Sequence, residues 1–322
     1  MSVGILLVGG FGTRLKPLTI ECPKPMLPVA GLPVTEHQIN AAVAAGIHTL
    51  VLATSYLSEV FTPYFGDGSK WGIKILYAVE KEPLGTGGAI ANAAQLLDLD
   101  HLGDEPIVIF NGDILSRHNL AAQIEYHQSK NADVTLHLIE VPDARAFGCV
   151  PTDGDGRVTA FLEKMDNPIT NSINAGCYIF HPSVISRIPL NQVVSVERET
   201  FPELVAADRP VYGYKEDAYW LDVGNAAALF QGSRDLIAGD FHHMAGCVID
   251  PTATITGKSS LGSGVTIGAG AVIRDCIIGD GVVVGDGAQL HRCFIFHGAE
   301  ISAGANFEAM YLSSTQQLAI NF

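Results

Sequence analysis

Basic residues are scarce in this sequence. Its 322 residues include 19 lysines and arginines against 34 aspartates and glutamates, which gives a formal net charge of −15. Proteins that bind nucleic acid generally carry basic stripes, because the bound phosphates must be neutralised. The composition therefore argues against a general nucleic-acid partner. It also means that an anionic substrate would need local cations and a metal ion to hold it.

Cysteines and long apolar runs are scarce as well. The six cysteines are scattered, with no Cys-x-x-Cys pair and no cysteine–histidine set at zinc spacing, which fits reduced thiols. The longest apolar run, residues 41–54, is interrupted by Gly46 and His48, whereas a spanning helix needs about 20 apolar residues. The first residues begin a strand and carry no basic leader. We therefore expect a cytoplasmic protein with neither a secretion signal nor a membrane span.

Hydrophobic residues, in contrast, make up 48% of the chain and charged residues only 16%, which indicates a large packed core. Up to about residue 238, short apolar runs alternate with helical patterns. This alternation predicts an α/β fold, a doubly wound, Rossmann-like mixed sheet. Strands are predicted at residues 4–8, 49–53, 74–77, 106–110, 133–140, 148–151, 157–163 and 175–180, and helices at 36–45, 57–64, 88–97, 120–129 and 198–207.

The sequence pattern changes near Cys247. One aliphatic residue recurs every six positions, and the period resumes after a one-residue slip. The aliphatic residues are Ile255, Leu261, Ile267, Ile273, Ile278, Val284 and Leu290. A six-residue repeat of this kind is typical of a parallel β-helix, here left-handed and of three to four coils. We expect a catalytic domain over residues 1–238 and a β-helix domain over 239–322, which would be a scaffold and the surface for homo-oligomer formation.

The glycine-rich loop after the first predicted strand carries the clearest chemical signal. Gly9, Gly10 and Gly12 leave the backbone N–H groups open to a phosphate chain, and Arg14 adds a planar cation. Leu15 stands where a dinucleotide fingerprint would need glycine, and the Gly-Lys-Ser/Thr of a P-loop is missing. The loop therefore predicts a polyphosphate site of another kind.

The chain resembles the sugar-phosphate nucleotidylyltransferases in a series of segments that cover about the first 225 residues. The opening segment reads GGFGTRLKPLT and continues into PKPMLPVAG. The later segments follow in the family's order: residues 80–88, 111–113, 147–150, 161–164, 174–176 and 220–224. The resemblance implies that a sugar 1-phosphate oxygen attacks the α-phosphorus of a nucleoside triphosphate, which releases pyrophosphate and forms a nucleotide sugar.

The resemblance also implies roles for individual residues. Arg14, Lys24 and Asp113 would be catalytic, and Asp113 and Asp222 would bind Mg²⁺, which favours a few carboxylates together with phosphates and water. Gly148, Glu163, Lys164 and Asn174 would bind the sugar phosphate. The nucleotide would contact Leu7, Gly9, Gly10, Gly12, Thr13, Arg14, Lys24, Glu80, Gly85, Thr86, Asn111 and Gly112.

The identity of the substrates is predicted from individual residues and short segments. The Glu80 carboxylate could accept hydrogen bonds from the N1–H and the exocyclic amine of guanine. Residues 83–88, together with Gly9-Gly10 at the start of the loop, look most like the matching segments of mannose-1-phosphate guanylyltransferases, and so do segments 147–152 and 195–199. GTP and mannose 1-phosphate are therefore the favoured substrates. A glucose or cyclitol phosphate paired with ATP, UTP, dTTP or GTP is the alternative.

Two further alternatives belong to other functional classes, a non-catalytic sensor and an acyltransferase. A non-catalytic sensor of nucleotide sugars would be expected to lack Arg14, Lys24 or Asp113, and all three are present. Acyl transfer in the β-helix would use a histidine such as His291 or His297. Consumption of acetyl-CoA would reveal that activity.

Overall fold

A computed structural model describes residues 2–10, 12–54 and 58–322. They divide into two compact units. The first unit comprises the chain up to Gly10 together with Gln38–Trp220. The second unit comprises the chain after Gly10 up to His37 together with Leu221–Phe322. In the described residues, no helix is long and apolar enough to cross a membrane.

The strands before the six-residue repeat are β1 Ser2–Leu7, β2 Pro28–Val29, β3 Leu32–Pro33, β4 Ile47–Thr54, β5 Lys74–Val79, β6 Ile107–Asn111, β7 Ile114–Ser116, β8 Val134–Glu140, β9 Gly148–Cys149, β10 Leu162–Glu163, β11 Ser172–Phe180, β12 Val211–Lys215 and β13 Trp220–Asp222. The α-helices are α1 Val34–Ala44, α2 Phe61–Phe65, α3 Gly85–Ala94, α4 Leu99–Leu102, α5 Leu120–Ser129, α6 Pro182–Ile185, α7 Phe201–Ala206 and α8 Ala226–Leu236.

A nine-stranded mixed sheet forms the first unit. Its central order is β5-β4-β1-β6-β11, in which β1, β4, β5 and β6 are parallel and β11 runs antiparallel to β6. Beyond β11, one branch continues through β8 to β12 and another through β9 to β10. The carboxyl ends of β1 and β6 lie side by side, because Leu7 pairs with Asn111. The predicted Rossmann-like mixed sheet is confirmed.

Three predicted elements differ from the structure. The strand predicted over residues 157–163 contributes only β10, with single bridges at Arg157 and Val158. The cause is a tight turn in which the Asp153 carboxylate accepts hydrogen bonds from the amides of Asp155 and Arg157. The helix predicted over 57–64 is a 3₁₀ turn, Ser58–Val60, followed by α2, and its first residue lies outside the described residues. The helix predicted over 198–207 is a π-turn, Val196–Thr200, that leads into α7.

The six-residue repeat forms three stacks of short parallel strands in the second unit, as expected for the predicted left-handed β-helix. The first stack holds Phe241–His243, Ser259–Leu261, Ile277–Ile278, Phe294–Ile295, Met310–Leu312 and the antiparallel strand Gln317–Ala319. The second holds Val248–Ile249, Thr266–Ile267, Val283–Val284 and Glu300–Ile301. The third holds Thr254–Thr256, Val272–Arg274, Gln289–His291 and Asn306–Glu308.

The one-residue slip recurs in every coil after the first. Thr254 pairs with Val272, 18 positions on, whereas Val272 pairs with Gln289, only 17 positions on. At this corner the first coil has two residues with a left-handed backbone, Gly257 (φ 69°) and Lys258 (φ 59°). The later coils have one residue there, Asp275, Arg292 or Ala309, with φ between 52° and 54°. The aliphatic residues of the repeat stay buried in one continuous core. A tighter corner thus absorbs the slip while the inward register is preserved.

The second unit contains more than the coils. The β2–β3 hairpin belongs to it, and the Ala30 amide donates a hydrogen bond of 2.9 Å to Ser233 Oγ in α8. The Tyr311 hydroxyl, on a strand of the first stack, donates to Glu21 at 2.9 Å. The segment that follows the glycine loop is therefore packed with the β-helix. A domain boundary at 238/239 stays a prediction.

Candidate active site

The ends of β1 and β6 are held together by a glycine. The Gly112 amide donates to the Leu7 carbonyl at 2.9 Å, and a Cβ on Gly112 would lie 2.2 Å from that same oxygen. No residue other than glycine fits there without moving the strand end. Gly9 and Gly10, which follow β1, are exposed, and there is open space beside the Gly10 backbone.

Gln38 clamps the turn that carries Asp113. Its side chain is buried on α1, and Nε2 donates to the Asn111 carbonyl at 2.6 Å and to the Ile114 carbonyl at 2.9 Å. These two carbonyls bracket Gly112 and the half-buried Asp113. Sequence reasoning missed Gln38, because a glutamine within a helical pattern gives no sign that it reaches a turn 73 residues away.

A buried tyrosine joins several of the predicted substrate residues. The fully buried Tyr178 hydroxyl accepts hydrogen bonds from Asn111 Nδ2 at 3.1 Å and from Asn174 Nδ2 at 3.0 Å. It lies 3.4 Å from Glu197 Oε1, to which it donates. Asn111 and Asn174, predicted to contact different substrates, thus share one partner. Sequence reasoning missed Tyr178 and Glu197, although Glu197 lies in the quoted segment 195–199.

The helix start at Gly85 and Thr86 packs closely against the chain that leads to Glu197. A Cβ on Gly85 would lie 2.5 Å from the Val194 carbonyl. The Thr86 hydroxyl donates to Glu197 Oε2 at 2.7 Å and accepts from the Val196 amide at 3.0 Å. Both residues thus have a packing role, and their predicted contact with the nucleotide stays a prediction.

Glu80 presents an unsatisfied carboxylate oxygen. Its Oε2 accepts from the Leu84 amide at 3.3 Å, while Oε1 is buried and has no hydrogen-bond partner within the part of the chain that the structure describes. Burial raises the pKa of Glu80 above its ordinary value, and the hydrogen bond from Leu84 offsets part of this rise. A buried acceptor of this kind requires a donor, and an amide-like N–H of a ligand would supply one.

The predicted acceptor-sugar residues form a second group. Gly148 on β9 pairs with Glu163 on β10, and a Cβ on Gly148 would lie 2.9 Å from Glu163 Oε2 and from the Phe161 ring. Glu163 and Lys164 form an ion pair of 3.6 Å, with Lys164 in a left-handed backbone conformation, φ 50°. The absence of a side chain at Gly148 therefore leaves the Glu163 carboxylate uncovered on this side.

Three charged residues converge within the second unit. Lys24 begins a 3₁₀ turn between prolines and is only 8% exposed, and its Nζ lies 4.0 Å from Asp222 Oδ1. A Cβ on Gly224 would lie 3.2 Å from Asp222 Oδ1 and 3.4 Å from Arg14 Nη2. The structure thus brings together two predicted cations and a predicted metal ligand, separated in sequence by about 200 positions.

The glycine loop packs directly on Lys24. Gly12 has a left-handed backbone, φ 55°, and its carbonyl accepts from the Thr19 hydroxyl at 2.9 Å. A Cβ on Gly12 would lie 3.0 Å from Lys24 Cβ. The 3₁₀ turn Thr13–Leu15 follows and leaves Thr13 and Arg14 exposed. Residue 11, in the same loop, lies outside the described residues.

The available oxygen donors suit a hard cation. Over residues 2–10, 12–54 and 58–322, no three or more histidine, cysteine, aspartate or glutamate side chains form a group that could hold a metal ion. Such a group is not required, because Mg²⁺ usually takes one or two carboxylates together with substrate phosphates and water. That Asp113 and Asp222 bind Mg²⁺ stays a prediction.

Comparisons with known proteins agree with this chemistry. A family model described as nucleotidyl transferase matches residues 3–239, and one described as GlmU-like, C-terminal hexapeptide matches residues 232–308. A mannose-1-phosphate guanylyltransferase of Mycobacterium tuberculosis is 47% identical over 287 residues, which cover 85% of this chain and 79% of that protein. Mannose-1-phosphate guanylyltransferase 1 of Arabidopsis thaliana is 36% identical over 84% of this chain and 77% of its own length.

A solved structure is similar as well. HddC from Yersinia pseudotuberculosis, complexed with GMP-PN, superposes with a TM-score of 0.63 at 26% identity. The similarity covers 74% of this chain and 100% of HddC.

Proposed function

Because the chain belongs to the nucleotidyl transferase family, we propose that it transfers the guanylyl group of GTP to mannose 1-phosphate. A phosphate oxygen of mannose 1-phosphate attacks the α-phosphorus of GTP. The bond from that phosphorus to the oxygen of the β-phosphate breaks, pyrophosphate leaves with the electron pair, and GDP-mannose is formed. The curated relatives named for this reaction support the choice of both substrates.

The observation that carries the choice of base is the buried Glu80 oxygen without a partner. Guanine offers two adjacent donors on its Watson–Crick edge, N1–H and the exocyclic amine, to a carboxylate. Adenine places an acceptor, N1, beside its amine, and uracil flanks its N3–H with carbonyl oxygens, so both would bring lone pairs against Glu80. The GMP-PN bound in the HddC structure supports a guanine nucleotide in this fold.

The cations supply charge neutralisation. Transfer of a nucleotidyl group brings two anions together, so positioning and electrostatic stabilisation dominate catalysis. Arg14 and the loop amides hold the triphosphate. Lys24, buried and stiffened by its flanking prolines, faces the charge that develops at the α-phosphate. A buried ammonium is effective here because the low local dielectric strengthens its field.

Asp113 and Asp222 are the proposed ligands of Mg²⁺. Their carboxylates are the hard oxygen donors that this ion prefers, and the Gln38 clamp holds the turn around Asp113. When bound, Mg²⁺ neutralises phosphate charge and orients the triphosphate. On the acceptor side, Glu163 accepts from sugar hydroxyls, Lys164 pairs with the sugar phosphate, and Gly148 and Asn174 complete the pocket.

The test is a matrix of GTP, ATP, UTP and dTTP against mannose 1-phosphate, glucose 1-phosphate and a cyclitol phosphate, with pyrophosphate release as the readout. We expect GTP with mannose 1-phosphate to rank first. Glu80→Gln should lower kcat/KM for GTP by about 10- to 100-fold, because a hydrogen bond to a charged group is worth about 1.5–3 kcal/mol.

The control is Glu82→Gln, which changes an exposed carboxylate two residues away and should leave kcat/KM unchanged. If ATP or UTP with glucose 1-phosphate ranks first, the proposed substrates are wrong. Lack of pyrophosphate release with every pair would favour the sensor alternative. Homo-oligomer formation through the β-helix and a cytoplasmic location stay predictions.

A further inference from the structure

The hydrogen bonds around Tyr178 have a fixed direction. A carboxylate only accepts hydrogen bonds, and Glu197 already accepts from Thr86 and Ser195, each at 2.7 Å on Oε2. The Tyr178 proton therefore points to Glu197 Oε1. Both lone pairs of the Tyr178 oxygen remain, and they accept from the amide groups of Asn111 and Asn174.

This direction determines how each amide is turned. With its NH₂ on Tyr178, Asn174 directs Oδ1 to the Gly176 amide, which donates to it at 3.2 Å. Asn111 directs Oδ1 elsewhere, and that oxygen is buried without a hydrogen-bond partner among the described residues. The backbone around Asn111 is also fixed, because Gln38 holds its carbonyl. The amide cannot turn over without placing its oxygen against the Tyr178 lone pairs.

We propose that Glu197, acting through Tyr178, is a positioning residue that holds Asn111 Oδ1 as a hydrogen-bond acceptor for a substrate hydroxyl group. The inference rests on the proposed function, because the hydroxyl belongs to the ribose of GTP or to mannose 1-phosphate. Asn111 ends β6 beside Gly112 and Asp113, at the edge of the sheet where the substrates are expected. The unsatisfied oxygen identifies the chemistry of the missing partner as a donor.

The surroundings of Tyr178 keep this chain of hydrogen bonds rigid. The ring packs against Phe201 with centroids 5.2 Å apart, and β11 changes register between Asn174 and Tyr178. Gly176, with φ 75°, lies at this irregularity, and a Cβ there would lie 3.1 Å from Asn111 Nδ2. Burial raises the pKa of Tyr178 well above its ordinary value, so the phenol keeps its proton.

The test asks whether the contribution of one substrate hydroxyl group to kcat/KM depends on Tyr178. Pyrophosphate release is measured with GTP, 2′-deoxy-GTP and 3′-deoxy-GTP, and with mannose 1-phosphate and its monodeoxy analogues. In the unaltered protein, we expect one analogue to lose about 10-fold or more in kcat/KM, because a buried acceptor is left unpaired. The series to which that analogue belongs identifies whether the hydroxyl is on the ribose or on the sugar.

In Tyr178→Phe the ring packing is kept and the amide of Asn111 is released. We expect a lower rate with the parent substrates and a penalty for that analogue of about twofold or less. Glu197→Ala should act in the same way. The matched control is Glu199→Ala, which removes a carboxylate on the same turn that accepts a hydrogen bond from the Ser195 amide. This variant should keep the full penalty for the analogue. Thermal unfolding followed by circular dichroism checks each variant, and Glu197→Ala carries the test if Tyr178→Phe does not fold.

A purely structural role would lower kcat/KM for parent and analogue substrates by the same factor, and that result would overturn the inference. So would the absence of any penalty in the unaltered protein. If GTP with mannose 1-phosphate is not turned over but another pair is, the proposed function fails and the same comparison is made with that pair. If no pair is turned over, both are wrong.

Discussion

Asp113 is the side chain whose position the structure explains in most detail. The preceding Gly112 donates to the Leu7 carbonyl, and the carbonyls on either side of the Gly112–Asp113 pair accept from Gln38. The carboxylate is thus presented from a turn with little freedom. Preorganised charge of this kind is effective in catalysis because it does not have to reorganise during the reaction.

Replacement of Asp113 by Asn should lower kcat by about 10²–10³-fold or more, since the proposed metal ligand loses its charge while its size and shape are kept. Magnesium-dependent pyrophosphate release measures the effect. Asp217→Asn, at an exposed position, is the control and should behave like the unaltered protein. Near-normal turnover by Asp113→Asn would contradict the assignment of Asp113 as a ligand.

Among the secondary-structure elements, α1 has a structural role that its sequence does not reveal, which is to position Gln38 at the turn that carries Asp113. It carries Gln38, whose two hydrogen bonds join the end of β6 to the start of β7. It sets the shape of the turn that bears Asn111, Gly112 and Asp113.

Gln38→Met keeps the length of the side chain and removes both donors. We expect a loss of unfolding free energy of about 1–3 kcal/mol, because buried carbonyls lose their partner. The same substitution should lower kcat, because the Asp113 turn is released. Urea unfolding and steady-state kinetics measure the two effects. Gln95→Met, at an exposed site after α3, should change neither. An unchanged kcat in Gln38→Met would show that the clamp serves stability alone.

At the scale of the whole molecule, the β-helix belongs to the same compact unit as the segment that carries Lys24. Tyr311, in the first stack of strands, has a buried ring and donates its hydroxyl proton to Glu21, three residues before Lys24. Burial, reinforced by the Glu21 carboxylate, raises the pKa of Tyr311. A strand of the β-helix is thus hydrogen-bonded to the segment that joins Arg14 to Lys24.

Tyr311→Phe tests this support. The variant loses one hydrogen bond to a carboxylate, which should lower the unfolding free energy by about 1.5–3 kcal/mol. We also expect a lower kcat/KM for GTP, because Lys24 lies three residues after Glu21, on the segment that loses this hydrogen bond. Calorimetry and pyrophosphate release measure the two effects. Tyr64→Phe, a partly exposed tyrosine in the first unit, serves as the control. Full activity in a destabilised Tyr311→Phe would limit Tyr311 to a structural role.

Local sequence patterns were sufficient for the architecture. Alternating apolar runs predict β1, β4, β5 and β6, and the six-residue repeat predicts the coils together with the slip. These predictions succeed because an apolar run and a six-residue period are both set by residues that are close together in the sequence. Where turn chemistry competes, as at Asp153 before Arg157, the predicted strand shrank to two residues.

The sequence alone thus determined the family, the mixed sheet, the β-helix and the residue types that the chemistry needs. Only the tertiary structure revealed the Gln38 clamp, the direction of the hydrogen bonds from Asn111 through Tyr178 to Glu197, and the support of Glu21 by Tyr311. The physical reason is separation along the chain: Glu21 and Tyr311 are 290 positions apart, and no local periodicity encodes such a contact. Hydrogen-bond direction likewise depends on which acceptors surround a buried donor, and packing alone decides that.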